Sequence, residues 1–427
     1  MDTQNWKLET IAVQAGYEPE NGGPRVVPIT QSTTYKYADV QSVADLFDLK
    51  RAGFFYTRLA NPTVNCFEKK IAALEGGVDA VACSSGQTAN FLALMNIAKA
   101  GDHILSTATL YGGTVNLFGT TMKKMGVEIS FIPPESTPEE IQASIRPNTK
   151  AIFGEVLGNP SLLVLDIEKF AKVAHANKIP LVVDNTFPTP ILCRPFDFGA
   201  DIVTHSTTKY IDGHATSVGG IVVEKGGFDW ASSGKYPEFT DPDESYHGLI
   251  YTKNFAANPY TTKLRVQWIR DLGTPMMPFN AFMSMVGCET IHLRMERHSS
   301  NALAMAKWLE KHPKVNWVNY PGLESNSEYA MAQKYLPGGC SGVLCFGVKG
   351  GVKAGETLMN SLKLAAICVH VADLRTCVLH PASMTHRQLS EEELIAAGVS
   401  PDLIRLSIGL ENIEDIIADF EQAFAKI

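Results

Sequence analysis

The stretch Val203–Gly220, VTHSTTKYIDGHATSVGG, carries a single lysine, Lys209, after a short apolar run and before a turn that contains glycine. A lysine at the end of a buried strand is poorly solvated, so its amine loses a proton more easily. A neutral amine can form a Schiff base with an aldehyde. The neighbouring hydroxyls of Ser206, Thr207 and Thr208 can help to bind an anion. The alternative is an ordinary lysine in a polar surface loop, because a lone S-x-x-K pattern has little specificity.

Short apolar runs alternate with amphipathic helical segments from residue 63 onward, beginning with the helical pattern of Asn65–Gly77. Their length and their flanking Gly, Pro and Asp residues favour buried strands over helices. Repeated strand, helix, strand units predict an α/β fold with a mostly parallel, seven-stranded sheet flanked by helices. The predicted strands are Ala80–Cys83, His103–Ser106, Glu128–Ile132, Ala151–Val156, Leu181–Asp184, Ile202–His205 and Gly220–Val223.

Changes in pattern divide the chain into three predicted parts. Residues 1–62 are rich in Gly, Pro, Thr and Tyr and are expected to form an arm that lies on another part of the protein. Residues 63–280 form the large domain, in which an irregular aromatic insertion at about 226–278 is expected to line or cover the site. Residues 281–427 form a smaller C-terminal α/β domain, and one long helical region is predicted over Phe279–His312.

The composition favours a cytoplasmic enzyme that acts on small molecules. The 427 residues include 45% hydrophobic and 19% charged residues, as in an ordinary globular protein. The net charge of -8 argues against nucleic acid or an anionic membrane surface as the main partner. No secretory signal and no apolar run of membrane-spanning length is present. The eight scattered cysteines lack a C-x-x-C pair, so we expect neither a metal site nor disulfides.

Polar residues follow the ends of several predicted strands, at Ser84–Thr88, Asn159, Asp184 and Ser206–Lys209. Sites in parallel sheets lie at the carboxyl ends of the strands, so these residues are expected to converge. The run AVACSSGQTAN leads from a strand into a helix, whose first free amides, from Gly86 and Gln87, would face an anion. A purely structural turn is the alternative.

Asp184 and Tyr111 are the other candidate residues. A buried carboxylate needs a cationic or donor partner, and a protonated pyridine nitrogen is one; a helix cap or a satisfied core aspartate is the alternative. Tyr111, in LYGG, can offer a ring face for stacking; the alternative is a tyrosine that only packs against its neighbours. Neither G-x-G-x-x-G nor a P-loop pattern occurs, so a dinucleotide or nucleoside triphosphate site has no support.

Seven motifs, in order over nearly the whole chain, resemble the Cys/Met-metabolism family of pyridoxal-phosphate enzymes. They are YTRLANPT (Tyr56–Thr63), SSGQTA (Ser84–Ala89), LYGGT (Leu110–Thr114), E-x-x-x-NP (Glu155–Pro160), VVDNTF (Val182–Phe187), HSTTKY with GH (His205–Tyr210, Gly213–His214) and IRLSIGLE (Ile404–Glu411). The resemblance implies a fold type I transferase with pyridoxal 5'-phosphate as cofactor. It also implies a homo-oligomer, commonly a tetramer built as a dimer of dimers.

The resemblance also implies roles for individual residues. Lys209 would form the Schiff base and shuttle protons, Asp184 would keep the pyridine nitrogen protonated, and Tyr111 would stack on the ring. Asn159 would bond the ring hydroxyl. The phosphate would be bound by Gly86, Gln87, Ser206 and Thr208, with Tyr56 and Arg58 from a neighbouring subunit. Arg405 would hold the substrate carboxylate, and Thr376, Asn159 and Tyr56 would complete the substrate site.

Further motifs resemble the branch of the family that joins O-acetyl-L-homoserine to sulfide or methanethiol, giving homocysteine or methionine and acetate. They are SYHGLIY (Ser245–Tyr251), RDLGTPMMPFNAF (Arg270–Phe282), the run Arg294–Ser325 and HPASMTHRQLSEEEL (residues 380–394). The alternative is a cystathionine gamma-synthase or gamma-lyase, or a methionine gamma-lyase. Gly112–Gly113, where a cysteine would follow Tyr111, argues against the last. The insertion argues against the shorter cystathionine enzymes.

One segment departs from the family pattern. Residues 370–376, HVADLRT, stand where Asn-Val-Gly-Asp, then Lys or Arg, then Ser are expected. His370 and the extra methyl group of Thr376 are expected to reshape the substrate pocket. A nicotinamide oxidoreductase and a non-catalytic binding protein are the hypotheses from other classes, and both predict a colourless protein, whereas a lysine Schiff base should be yellow.

Overall fold

A computed structural model describes residues 3, 5–384 and 400–427 of the chain. The motif HPASMTHRQLSEEEL, residues 380–394, therefore lies outside the described residues from position 385 onward. Within the described ranges, no helix combines the length and the apolar character that a membrane crossing requires.

The larger sheet has seven strands: β1 (Asp79–Cys83), β2 (His103–Thr107), β3 (Glu128–Ile132), β4 (Thr149–Glu155), β5 (Leu181–Asp184), β6 (Ile202–Ser206) and β7 (Gly220–Glu224). Their order is β1-β7-β6-β5-β4-β2-β3. β7 is antiparallel to both of its neighbours, and the other pairs are parallel. The prediction of a mostly parallel seven-stranded sheet is confirmed, and each strand lies within two residues of its predicted bounds.

All strands of this sheet except the edge strand β3 are buried on both faces. Along β1, Ala80 and Ala82 belong to one apolar core, whereas Val81 and Cys83 belong to a second core on the opposite face. Successive side chains of a strand point to opposite faces, so a continuous apolar run supplies both cores. This explains why the strands appear in the sequence as unbroken apolar runs.

Helices pack on this sheet and on the second, smaller sheet described below: α1 (Leu8–Gln14), α2 (Val40–Phe47), α3 (Pro62–Glu75), α4 (Gly86–Met95), α5 (Gly112–Asn116), α6 (Pro138–Ser144), α7 (Ile167–Ala176), α8 (Thr189–Leu192), α9 (Pro237–Thr240), α10 (Tyr251–Asn254), α11 (Pro259–Lys263), α12 (Arg270–Leu272), α13 (Pro278–Glu289), α14 (Ile291–Lys311), α15 (Tyr329–Tyr335), α16 (Gly351–Ser361) and α17 (Ile413–Phe424). The ends of α3 follow from its sequence. Asn61 accepts hydrogen bonds from the first free amides, and Gly76 ends the helix with a φ of 77°.

The long helical region predicted over Phe279–His312 is present as two helices, α13 and α14. Thr290, with φ -113° and ψ 9°, separates α13 from α14. Its N–H bonds back to the carbonyls of Gly287 and Cys288, which ends α13. Threonine is β-branched and has a low helix propensity, so it accommodates this break readily.

The insertion at about 226–278 packs on one face of the sheet and lines no part of the central cavity described below. Five buried aromatic side chains anchor it there: Trp230, Tyr236, Phe239, Tyr251 and Tyr260. Trp230 stacks on Phe239 with ring centroids 4.5 Å apart. In the isolated chain the large apolar residues of this segment complete a core, and the expectation that the segment lines or covers the site of the assembled enzyme stays a prediction.

A second sheet contains β8 (Val315–Asn319), β9 (Val343–Val348), β10 (Ala366–Ile367), β11 (Cys377–Leu379) and β12 (Leu403–Ser407), in the order β10-β11-β12-β9-β8. All its pairs are antiparallel except β10 with β11. It lies within the predicted C-terminal part, whose exact boundaries remain a prediction.

Candidate active site

A cavity of about 220 Å³ lies at the carboxyl ends of the parallel strands. One wall comes from the loops after β1, β2, β4, β5 and β6, and the other comes from the second sheet and the segment before β11. It brings together most of the residues that the sequence analysis singled out: Gly86, Gln87, Tyr111, Asn159, Asp184, Ser206, Thr208, Lys209 and Arg405. Tyr56, Arg58, Thr207 and Thr376 do not line it.

The N-terminus of α4 forms one end of the cavity. Ser85 caps this ten-residue helix by accepting a hydrogen bond from the Thr88 amide, and Gly86 follows it. A Cβ atom on Gly86 would lie 2.4 Å from the Cβ of Ser206, so only glycine permits this approach of helix and strand. Free amides at a positive helix end beside hydroxyl groups suit a phosphate group. The hydroxyl of Thr207, predicted to help, is buried away from the cavity.

Asp184 is held in one orientation at the end of β5. Its Oδ1 accepts hydrogen bonds from the Thr186 amide at 2.9 Å and the Thr186 hydroxyl at 2.5 Å. Its Oδ2 accepts one from Asn90 Nδ2 at 3.0 Å, and Asn90 is itself fixed by the Thr204 hydroxyl. These contacts leave a carboxylate facing the cavity in a fixed position. Asn90 and Thr186 were not singled out from the sequence, although both belong to stretches quoted there.

Glu155 lies beside Asp184 and supports Tyr111. Its Oε1 accepts a hydrogen bond from the Tyr111 amide at 2.7 Å. Burial, followed by the negative charge of Asp184, raises the pKa of Glu155 well above its usual range. The Tyr111 side chain is 51% exposed in the isolated chain. A Cβ atom on Gly113 would lie 2.5 Å from this ring, so the glycine allows the ring its position.

Lys209 follows β6 and reaches the opposite wall. Burial, and then the positive charge of Arg405, lower its pKa to about 8. Its Nζ lies 3.3 Å from Nδ1 of His370, in the segment between β10 and β11. The prediction that this lysine loses its proton unusually easily agrees with the lowered pKa. The contact with His370 was not foreseen.

Arg405 is a buried cation with unused hydrogen-bonding capacity. It lies on β12 and is 8% exposed. Nη1 donates to Asn159 Oδ1 at 3.3 Å and Nη2 to the Val369 carbonyl at 3.2 Å. Nε is buried and has no hydrogen-bond partner among the described residues. A buried guanidinium with a free donor beside a cavity fits a carboxylate ligand.

Three candidate residues lie elsewhere. Tyr56 and Arg58, with Arg58 over the tyrosine ring at 5.1 Å, line a separate cavity of about 510 Å³. The hydroxyl of the buried Thr376 donates to Glu411 Oε2 at 2.9 Å and accepts from the Gly409 amide at 2.9 Å. Both bonds stay within the second sheet region, so this placement gives the predicted substrate contact of Thr376 no support.

Two other observations concern metals and cysteines. Among residues 3, 5–384 and 400–427, no cluster of His, Cys, Asp and Glu could hold a metal ion. The eight cysteines all have free thiols.

The cavity combines a lysine with a low pKa, a fixed carboxylate, a phosphate cradle and a buried arginine, which is the donor set of a pyridoxal-phosphate site. The family model of Cys/Met metabolism PLP-dependent enzymes matches residues 9–425. The chain therefore belongs to this family and is an enzyme with pyridoxal phosphate as its cofactor.

Individual named proteins are also similar to this chain. The chain is 49% identical to homocysteine synthase of Schizosaccharomyces pombe over 99% of both chains. It is 46% identical to O-acetyl-L-homoserine sulfhydrylase of Leptospira meyeri, over 99% of this chain and 98% of the relative. A putative O-acetylhomoserine (thiol)-lyase of Campylobacter jejuni, solved with N'-pyridoxyl-lysine-5'-monophosphate, superposes with a TM-score of 0.95. It is 37% identical and covers 98% of this chain and 100% of its own, which confirms the predicted fold type I architecture.

Proposed function

We propose that the enzyme replaces the acetate group of O-acetyl-L-homoserine with sulfide, releasing L-homocysteine and acetate. Methanethiol in place of sulfide would give L-methionine. The names of the similar proteins support this reaction. The observation that carries the proposal is the buried Arg405, which lines the same cavity as Lys209 and whose Nε has no hydrogen-bond partner among the described residues. An amino-acid carboxylate fits one end of this cavity, and a cofactor phosphate fits the other.

The residues present fit pyridoxal phosphate. Gly86, Gln87, Ser206 and Thr208 would bind its phosphate, and Asp184 would bond the ring nitrogen. The ring would lie against Tyr111, and Asn159 would contact the ring hydroxyl. When bound, the cofactor supplies an electron sink that stabilises negative charge on the neighbouring carbon atoms of the substrate.

The protein's own residues then direct the reaction. Arg405 holds the substrate carboxylate and fixes the α carbon near Lys209. With a pKa of about 8, about one Lys209 amine in ten is neutral at pH 7. This amine removes the α proton and moves a proton at the β carbon, which a lysine on a flexible stem can reach. Acetate leaves from the γ carbon with the bonding electron pair, and the sulfur nucleophile forms the new bond there.

Product identification tests the reaction. With O-acetyl-L-homoserine and sulfide, we expect homocysteine and acetate in equal amounts. Release of ketobutyrate as the main product, from methionine or cystathionine, would instead assign the chain to the γ-elimination or cystathionine members of the family. Borohydride reduction should fix the cofactor on Lys209, and Lys209→Ala should abolish turnover because both the attachment point and the base are lost.

We also infer that a neighbouring subunit completes the site, in a cytoplasmic homotetramer. Tyr56 and Arg58 lie on the N-terminal part of the chain, outside the central cavity, and both are exposed, Tyr56 to 38%. Their exposure supports a role in trans. Free cysteines throughout agree with a reducing compartment.

A complementation experiment tests the shared site. Lys209→Ala and Arg58→Ala should each be nearly inactive. After co-refolding at equal amounts, a two-fold symmetric pair of mixed subunits has one intact site, so about a quarter of the wild-type activity should return. Absence of recovery, with mixed oligomers verified by mass, would place Arg58 in its own subunit's site.

A further inference from the structure

A side-chain contact between Lys209 and His370 connects the regions of the two sheets at the wall of the cavity. Lys209 Nζ lies 3.3 Å from His370 Nδ1, although the residues are 161 positions apart. His370 belongs to the segment that departs from the family pattern. Its neighbours Val369 and Val371 line the cavity, but His370 itself does not. The imidazole therefore meets the lysine amine from behind the cavity wall.

The chemistry of the two groups sets the direction of this contact. A lysine ammonium group has only donors, so Nδ1 of a neutral imidazole must accept. The other nitrogen, Nε2, then carries the ring proton, and it is buried without a partner among the described residues. The backbone on both sides of the ring is held by thiols, because the His370 amide contacts Cys368 Sγ and its carbonyl accepts from Cys377 Sγ. The lysine contact is thus the one hydrogen bond that the described structure gives this ring.

We propose that His370 is a positioning residue for Lys209. Its Nδ1 accepts a hydrogen bond from the lysine amine whenever that amine is not bonded to the cofactor, and holds the amine against the cavity wall. This inference rests on the proposed role of Lys209. Each time a substrate amine takes the place of Lys209 on the cofactor, the freed lysine needs an acceptor that keeps it close without occupying the substrate volume.

The charges around His370 keep it in the accepting form. Burial, and next the positive charge of Lys209, lower the pKa of His370 from 6.5, with a smaller effect of Arg405 in the same direction. Asp373 and Asp212 act in the opposite direction but do not cancel these effects. At neutral pH the ring is therefore uncharged, and Nδ1 is free to accept.

Nuclear magnetic resonance of the apoenzyme, with ¹⁵N-labelled histidine, provides the first test. We expect His370 to be protonated on Nε2 and to titrate below pH 6.5. In Lys209→Met, which keeps the apolar length of the side chain but removes the charge, the midpoint of His370 should rise. His298, which bonds the Ile408 carbonyl, is the internal control and should not move. Protonation on Nδ1, or a midpoint unchanged in Lys209→Met, would overturn the proposal.

The reciprocal test measures the lysine. Competitive acetylation of the apoenzyme, read by mass spectrometry, gives the titration midpoint of Lys209, expected near pH 8. In His370→Leu the ammonium loses its acceptor, so the midpoint should fall by about half to one pH unit. His370→Asn offers a side-chain oxygen as the acceptor and should therefore restore the midpoint of Lys209. A purely structural role of His370 would not predict this restoration. Equal midpoints in the wild type and His370→Leu would refute the positioning role.

Failure of this inference can be distinguished from failure of the proposed function. Borohydride reduction of the loaded enzyme reports the attachment site independently of His370. If the pyridoxyl group is found on another residue, the role of Lys209 fails. If it is found on Lys209 while His370→Leu leaves the lysine titration unchanged, only the positioning role fails. Circular dichroism and thermal unfolding identify any variant that has not folded.

Discussion

Replacement of Arg405 gives the sharpest prediction for substrate binding. Arg405→Lys keeps the charge but loses the planar fork of donors, of which Nε is unpaired in this structure. A hydrogen bond to a charged group contributes about 1.5 to 3 kcal/mol. At 1.36 kcal/mol per factor of ten, kcat/KM for O-acetyl-L-homoserine should fall about 10- to 150-fold. Most of the loss should be in KM, because the carboxylate is bound in both the ground state and the transition state.

Arg405→Met goes further because it leaves the substrate carboxylate unpaired in a buried site. Such an unpaired charge costs about 3 to 5 kcal/mol, or roughly a 150- to 5,000-fold loss in kcat/KM. The variant also removes a positive charge that lowers the pKa of Lys209. The lysine midpoint should therefore rise above pH 8 in Arg405→Met and stay low in Arg405→Lys.

Steady-state kinetics with sulfide in excess, together with competitive labelling of the apoenzyme, measure both effects. The absorbance of the bound cofactor should stay close to that of the wild type, which controls for damage to the cofactor site. A kcat/KM for Arg405→Met within about threefold of the wild type would refute the assignment of Arg405 to the substrate carboxylate, since a threefold change is well under 1.36 kcal/mol.

Three further substitutions test other parts of the site. Gly86→Ala brings a Cβ to 2.4 Å from Ser206 and should weaken pyridoxal phosphate binding at least tenfold in a titration, whereas Gly112→Ala, with open space around its Cβ, should bind normally. Asp184→Asn should lower kcat because a neutral amide cannot keep the ring nitrogen protonated, and a near wild-type kcat would place that partner elsewhere. Ala372→Gly should stabilise the apoenzyme by up to about 1.5 kcal/mol, seen as a higher unfolding temperature, because Ala372 has a φ of 66°. That conformation costs alanine about 1–2 kcal/mol, of which the greater freedom of unfolded glycine offsets about 0.5–1 kcal/mol.

The larger sheet could be predicted well because the sequence signals for its strands are local. Each strand is an apolar run between Gly, Pro or Asp residues, and each polar cluster at a strand end lies directly beside such a run. One cavity therefore contains Gly86, Asp184 and Lys209, as expected for residues that follow the carboxyl ends of strands in a parallel sheet. The motifs added Arg405, which comes from a distant strand that local patterns alone do not connect to the site.

The missed features depend on contacts between distant residues. The Thr290 break carries neither Pro nor Gly, so the apolar pattern continues through it. The hydroxyl of Thr376 is occupied by Glu411, 35 positions later, which no local pattern reveals. His370 was visible as a departure from the family pattern, but its contact with Lys209 appears only in three dimensions. The aromatic residues of the insertion complete a core, which the sequence could not distinguish from a binding site because aromatic residues are equally suited to both.

The cavity lies between the two sheets, so cofactor binding and substrate selection belong to different walls of one pocket. The first sheet and its loops carry the residues that would hold the cofactor, whereas Val369, Val371 and Arg405 come from the region of the second sheet. Changes confined to this second wall can therefore retune which acyl group and which thiol are accepted, while cofactor affinity is left intact. A library that varies Val369 and Val371 and retains His370, Arg405 and the first sheet would offer a direct route to new thiol donors in this scaffold.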